Sequence, residues 1–183
     1  MDDAALLVAA RRTYELGRLR RALSRAAIGL PAAAIPIAQC ASVDRAAEAF
    51  AAAGAVLVLV VLFLWRGEGY GRGARTGAVA GLAPLLVPTL ASATGVLCSA
   101  TVCGVLPVAA VGGGVLAGLI LGGDALRAER RGPAFWFAAV AVTCALGAIG
   151  CLHVGLAGLG GMALGVLAGS APVLCWRAAR VTR

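Results

Sequence analysis

From Thr76 to Gly123 the chain runs for 48 residues without a charged side chain. At 1.5 Å rise per residue, one straight helix of that length would be about twice what a bilayer core of about 30 Å requires. The run has a natural middle, where Gly95, Cys98, Ser99, Thr101, Cys103 and Gly104 cluster just ahead of Pro107. It therefore reads as two membrane-crossing helices, 76–97 and 104–122, joined by a tight uncharged turn.

Charge composition agrees. Charged residues make up 13% of the 183 residues, against about 25% in ordinary soluble domains. All sixteen basic residues are arginine, the imprint of a GC-rich bacterial genome, and the net charge is +8. Such a charge invites a nucleic-acid partner. The distribution argues against one, because the arginines form short patches between apolar runs, as in cytoplasmic membrane loops.

The N-terminal segment 4–25 reads as one helix, with Asp2 and Asp3 at the end that favours negative charge. At 100° per residue, Leu16, Leu19 and Leu23 share one side, and Arg11, Arg18, Arg21 and Arg25 lie near the other. Arg12 and Arg20 sit closer to the apolar side. Such a helix either lies on anionic headgroups or partners, with these arginines as contacts, or is a solvated element that only sets topology. The apolar stretch before Arg11 is too short for a signal peptide, and its charge follows rather than precedes it.

Further along, 26–43 is uncharged but only weakly apolar, with Pro31, Pro36 and Gln39. The segment 46–65 is stronger, with a Val/Leu core over 56–64 and Trp65 in interface position. The stretch 66–75 alternates Gly67, Gly69, Gly71 and Gly73. With no preceding strand and no Lys-Ser/Thr after it, it reads as a flexible cytoplasmic turn and not a phosphate cradle. Beyond the arginine patch at 127–131, two more spans are expected near 133–150 and 154–174, followed by a basic tail at 177–183.

With six spans, the arginine patches at 11–25, 66–75, 127–131 and 177–183 share one face, and the opposite connections hold only Arg45. Both termini are therefore expected in the cytoplasm. A weak repeat accompanies this. Cys40, Gly54 and Arg66 are spaced 14 and 12 apart, Cys98, Gly114 and Arg127 16 and 13, and Cys151, Gly165 and Arg177 14 and 12. Gly-Val-Leu-Ala-Gly recurs at 114–118 and 165–169. Each unit would be one helical hairpin.

Small residues at i, i+4, i+8 let helix backbones approach closely in lipid. Gly114, Gly118 and Gly122 form one such ridge, Gly161, Gly165 and Gly169 a second, and Ala47, Ala51 and Ala55 a third. Each can serve packing within the bundle or a homodimer face. At the outer edge, Cys98 and Cys103 are candidates for a disulfide, and with Cys151 and His153 they have the ligand types of a metal or redox site. Plain packing of small apolar residues is the competing account, and Cys144 is expected to pack. No nucleophile–base pair is visible, so neither catalytic residues nor cofactors are expected. Ionisable residues within the spans, the usual mark of a coupled carrier, are lacking apart from Glu48 near an end.

The basic segment Arg11–Arg25, the Gly-Cys-Leu-His-Val run at 150–154 and the following Gly158, Gly161 and Gly165 resemble the small six-helix inner-membrane anti-sigma regulators of the NrsF type. That resemblance implies a regulator holding a cytoplasmic partner at the membrane. An uncharacterised membrane family of high-GC bacteria fits the same residues.

The expectation is thus an all-α polytopic membrane bundle of about six helices in three hairpins. It spans 26–176, between a cytoplasmic basic helix (1–25) and tail (177–183), in the bacterial inner membrane. It is expected to be non-enzymatic, with the lipid bilayer and a cytoplasmic protein as partners, no nucleic acid, and homo-oligomers allowed. A small transporter or channel-like conduit is the first alternative. A periplasm-facing thiol or metal site is the second.

Overall fold

The computed structural model describes residues 3–27, 46–93, 105–127, 132–150 and 156–181. Six helices account for nearly all of them: α1 (Asp3–Ala27), α2 (Ala46–Arg66), α3 (Glu68–Ala93), α4 (Val105–Arg127), α5 (Pro133–Gly150) and α6 (Leu156–Val181). The described residues contain no strand. Residues Val108–Leu126 within α4 and Pro133–Gly150 are each long and apolar enough to cross a membrane, and Phe50–Arg66 and Ala157–Val173 are shorter apolar helices. The weakly apolar stretch expected as a first span, 26–43, lies outside the described residues apart from its first two, which close α1.

The glycine-rich stretch 66–75 is not the flexible turn that its composition suggests. Only Gly67 breaks the helix, with φ of 141°, a left-handed conformation that an L side chain adopts at a cost. The Gly71 amide donates to the Gly67 carbonyl at 2.8 Å, and α3 is under way. Glu68 stands in its first turn, where negative charge is favoured, and pairs with Arg72 one turn on at 2.7 Å. Phe63 and Tyr70 stack across this one-residue corner with centroids 5.9 Å apart, and Phe137 of α5 meets Phe63 edge-on at 6.0 Å. Helix α5 opens with Pro133 at its first position, where no amide partner is lost, and the Phe135 amide donates to the Gly132 carbonyl at 3.1 Å.

The glycines of α3 recur as Gly69, Gly73, Gly77 and Gly81, one helical ridge that the odd-residue alternation of 67–73 obscures. A Cβ at Gly73 would strike the Phe135 carbonyl, and one at Gly77 the Ala139 carbonyl. At Gly81 it would lie 2.9 Å from the Leu146 Cβ. Residue numbers rise together on both helices, so α3 and α5 run parallel. Buried Thr143 fastens the crossing: its hydroxyl is shared between the carbonyls of Ala139, at 2.8 Å, and Gly77 across the interface, at 3.1 Å.

Helices α4 and α6 repeat the device. Gly114 faces the Met162 carbonyl, Gly165 that of Val111, Gly118 that of Val166, and Gly169 that of Val115. Each glycine thus meets the carbonyl three residues before its counterpart in the other helix. The two Gly-Val-Leu-Ala-Gly copies pack on each other about a local twofold. The geometry suits weak Cα–H···O contacts across a parallel crossing. Gly122 extends the ridge against Val173, and Gly161 is buried. The third member of the repeat does not join: a Cβ at Gly54 would meet nothing within 4 Å, and Ala47, Ala51 and Ala55 are exposed.

Helices α3 and α4 form an antiparallel pair. Thr76 meets Asp124 at one end, and Gly113 packs on Pro84 further along. Pro84 is buried where three helices converge, with Gly147 and Gly150 of α5 also against it or its carbonyl. Such neighbours are what makes a proline tolerable within an apolar helix. The expected third hairpin is corrected here. Helices α5 and α6 touch only slightly, around Gly147 and Met162, and each packs chiefly on the helix two before it. Backbone contact through glycine outweighs chain adjacency, so the spatial order is α5, α3, α4, α6, with α2 beside α3 and α5 and α1 on α2.

Candidate functional site at the basic end of the bundle

The antiparallel packing gathers the C-termini of α2, α4 and α6 and the N-termini of α3 and α5 at one end. Arg66, Arg72 and Arg75 lie there and are exposed, and the helix positions of Arg127 and Arg177 fall at the same end. The opposite end, where the described helices stop at Ala93, Val105, Gly150 and Leu156, carries no arginine on those elements.

Helix α1 docks at the basic end through the face Glu15, Arg18, Ala22 and Ala26, with the two alanines buried. Arg18 donates to the Trp65 carbonyl, one of the last carbonyls of α2 that lacks an intrahelical partner. A cation is favoured there by the helix dipole. The Trp65 indole N–H donates in turn to Glu15 at 3.1 Å, and the Arg18 guanidinium sits 5.8 Å from the Tyr14 ring centroid. Of the four arginines expected as lipid or partner contacts, Arg18 is thus turned inward, and Arg11, Arg21 and Arg25 are exposed. Arg12 and Arg20 are exposed with them. Leu16 and Leu23, the expected apolar side, remain uncovered, and only Leu19 of that trio is partly buried. The buried positions of α1 are the small Ala22 and Ala26 and not the leucines.

A second polar feature lies between α3 and α4. Thr76 donates to Asp124 at 3.1 Å, half-buried, beside an open groove of about 450 Å³ that Arg75 also borders. Asp124 ends the uncharged run in sequence, and the fold carries it into the last turns of α4 rather than into a loop.

Comparison with known protein families, curated proteins and solved structures finds no match to this chain.

The outer-edge candidates Cys98, Cys103, Cys151 and His153, and Cys40 with them, lie outside the described residues. Among the described residues no group of three or more His, Cys, Asp or Glu is placed to hold a metal. Cys144 and Cys175 are free thiols, and Cys144, expected to pack, is exposed. The side of α5 that packs is taken by Ala138, Ala139, Val142 and Thr143.

Sequence reading missed the Glu15–Trp65–Arg18 corner, Thr143 and the Gly69–Gly81 ridge. The ridge was within reach, since its i+4 spacing stands in the sequence. The corner was not, because it joins residues fifty apart.

Proposed function

We propose that the chain is a non-enzymatic, multi-pass integral protein of the bacterial inner membrane. Its six spans place both termini in the cytoplasm, and α1 holds a cytoplasmic protein partner at the membrane. One observation carries the membrane part: large apolar side chains are widely exposed while alanine and glycine fill the closest helix contacts. Val108, Phe137, Leu164 and Leu167 are 64–66% exposed, while Ala80, Ala110, Ala117, Ala138 and Ala139 are fully buried beside the glycine ridges. In water, large apolar side chains are driven inward. In lipid they gain nothing by leaving the surface, and helices associate by close backbone contact. Among the described residues of α2 to α6, the exposed arginines Arg66, Arg72 and Arg75 share one end, which supports the orientation. Direct backbone contact fills the α4·α6 and α3·α5 axes, which favours a tether over a conduit along either.

The partner role rests on α1, which presents Arg11, Arg12, Arg20, Arg21 and Arg25 beside uncovered Leu16 and Leu23. Carbonate extraction should leave the protein in the membrane fraction. In intact spheroplasts, a membrane-impermeant maleimide should label single-cysteine variants retaining Cys40, Cys98, Cys103 or Cys151 and spare Cys175 and Ser24→Cys. Labelling of Ser24→Cys with Cys175 still protected would replace six spans by five. Deletion of residues 2–25 should abolish the biological effect and leave an inserted bundle, and a full phenotype from that truncation would remove the tether.

A further inference from the structure

We propose that α1 lies along the cytoplasmic surface of the bilayer, with Leu16 and Leu23 among the acyl chains and Arg12 and Arg20 on the phosphates of anionic lipids. The inference rests on the membrane reading above and narrows the partner surface of α1 to its other side. It starts from a ridge that the docking of α1 leaves open. Arg12, Leu16, Arg20 and Leu23 follow one another at steps of four, four and three residues, so they share one side of the helix. All four are exposed, the leucines at 59% and 51%. For a helix packed in water the two arginines are faults, because they interrupt the apolar side. At a membrane surface they belong there. Each leucine enters the acyl boundary, while the arginine one turn away lays its stem along it and lifts its guanidinium to the headgroups.

Place and charge select the occupant. Helix α1 is held at Trp65 through Arg18 and Glu15, and tryptophan at the end of a span marks the membrane–water boundary. At 100° per residue, the docking face at Ala22 and Ala26 lies about a quarter turn from the leucine ridge. A helix lying flat and docked by its flank on an upright span turns one neighbouring side to the bilayer and the other to water. Arg21 and Arg25 stand opposite the leucines, so the residue types assign the leucine ridge to lipid. Residues 4–27 hold six arginines against one acidic residue, Glu15, and Glu15 and Arg18 are both engaged at the corner. A helix of that charge at headgroup level favours a leaflet with net negative lipids. An acidic protein can reach Arg21 and Arg25 from the water side, but it would have to enter the bilayer to cover the leucine ridge.

The test places the full-length protein in nanodiscs of palmitoyl-oleoyl phosphatidylcholine, alone or in equal parts with phosphatidylglycerol, and follows amide exchange along α1 by mass spectrometry. The anionic discs should slow exchange over residues 12–23 by about tenfold, as two arginines near a charged surface allow. Arg12→Gln with Arg20→Gln should remove most of that difference. Arg21→Gln with Arg25→Gln takes the same charge from the opposite side and should leave most of it. Leu16→Ser with Leu23→Ser should speed exchange in both discs. Equal losses from the two arginine pairs overturn the proposal, because they show attraction by net charge with no seat for the ridge. Protection confined to discs that hold two copies gives the ridge to a second copy and overturns it as well. A protein that leaves the membrane in carbonate overturns the membrane reading and this inference together. An inserted protein whose α1 exchanges equally in both discs overturns this inference alone and leaves the ridge to the protein partner.

Discussion

Two contacts in this molecule are built by opposite rules. At the α4·α6 crossing the partners are backbones: Gly114 and Gly165 present no side chain, and each faces a carbonyl of the other helix. At the α1·α2 corner the contacts are polar: the Arg18 guanidinium meets the Trp65 carbonyl, and the Trp65 indole N–H meets the Glu15 carboxylate. The first geometry is what association looks like when the surroundings are as apolar as the residues, and dispersion between close surfaces does the holding. The second belongs to a wet boundary, where polar groups choose their partner against competing water and each contact contributes little. On the membrane reading proposed above, the chain meets two solvents, and the change falls at Trp65.

The largest effect should come from breaking the backbone contact. Gly114→Val places branched carbon against the Met162 carbonyl and should destabilise the bundle by about 3 kcal/mol, measured by unfolding in mixed detergent micelles. Gly112→Val, two residues earlier, is the matched control, because a Cβ there meets nothing within 4 Å. Equal losses at the two positions would show that glycine at 114 serves backbone entropy and not proximity.

Next in size is Thr143. Thr143→Val keeps the shape and removes the hydroxyl shared with the Gly77 carbonyl, at an expected cost of about 1 kcal/mol, typical of a polar contact between helices in lipid. Thr143→Ser restores the donor and should recover most of it. If Val and Ser behave alike, the α3·α5 crossing is held by packing alone, and the likeness to α4·α6 becomes closer still.

How far the fold was legible in the sequence follows the same division. The helical class and the Gly114 and Gly165 ridges could be read, because i+4 spacing of small residues is a local property whose physical meaning in lipid is definite. The pairing of α5 with α3 and of α6 with α4 could not. Hairpin logic joins neighbours in the chain, whereas the deciding contacts here skip one helix. The stretch 66–75 was misjudged because glycine frequency signals a turn in water and a packing face in a bundle, and only Gly67 has the positive φ that a turn demands. On α1, hydrophobic periodicity selected Leu16, Leu19 and Leu23. The observed face follows small size at Ala22 and Ala26 and the polar reach of Arg18, neither of which a hydrophobic pattern registers.

The smallest effect on stability, and the most local, should come from the corner itself. Arg18→Ala leaves the Trp65 carbonyl to water and removes the cation from the end of α2, at a cost of about 0.5 kcal/mol for an exposed polar contact. The core of α2 to α6 should unfold at nearly the same detergent fraction as the wild type, since none of the described glycine contacts involves α1. What should change is α1: it undocks more often, so trypsin should cut at Arg20, Arg21 and Arg25 faster, by about twofold for a free-energy change of that size. Raised salt should weaken the corner in the wild type and have less effect on the variant, because the contribution removed is electrostatic. Glu15→Gln tests the other half, since a neutral acceptor still receives the Trp65 N–H but no longer balances Arg18. A large loss of core stability from either variant would mean that α1 is part of the bundle rather than a helix resting on its wet rim, and the contrast between the two contacts would collapse.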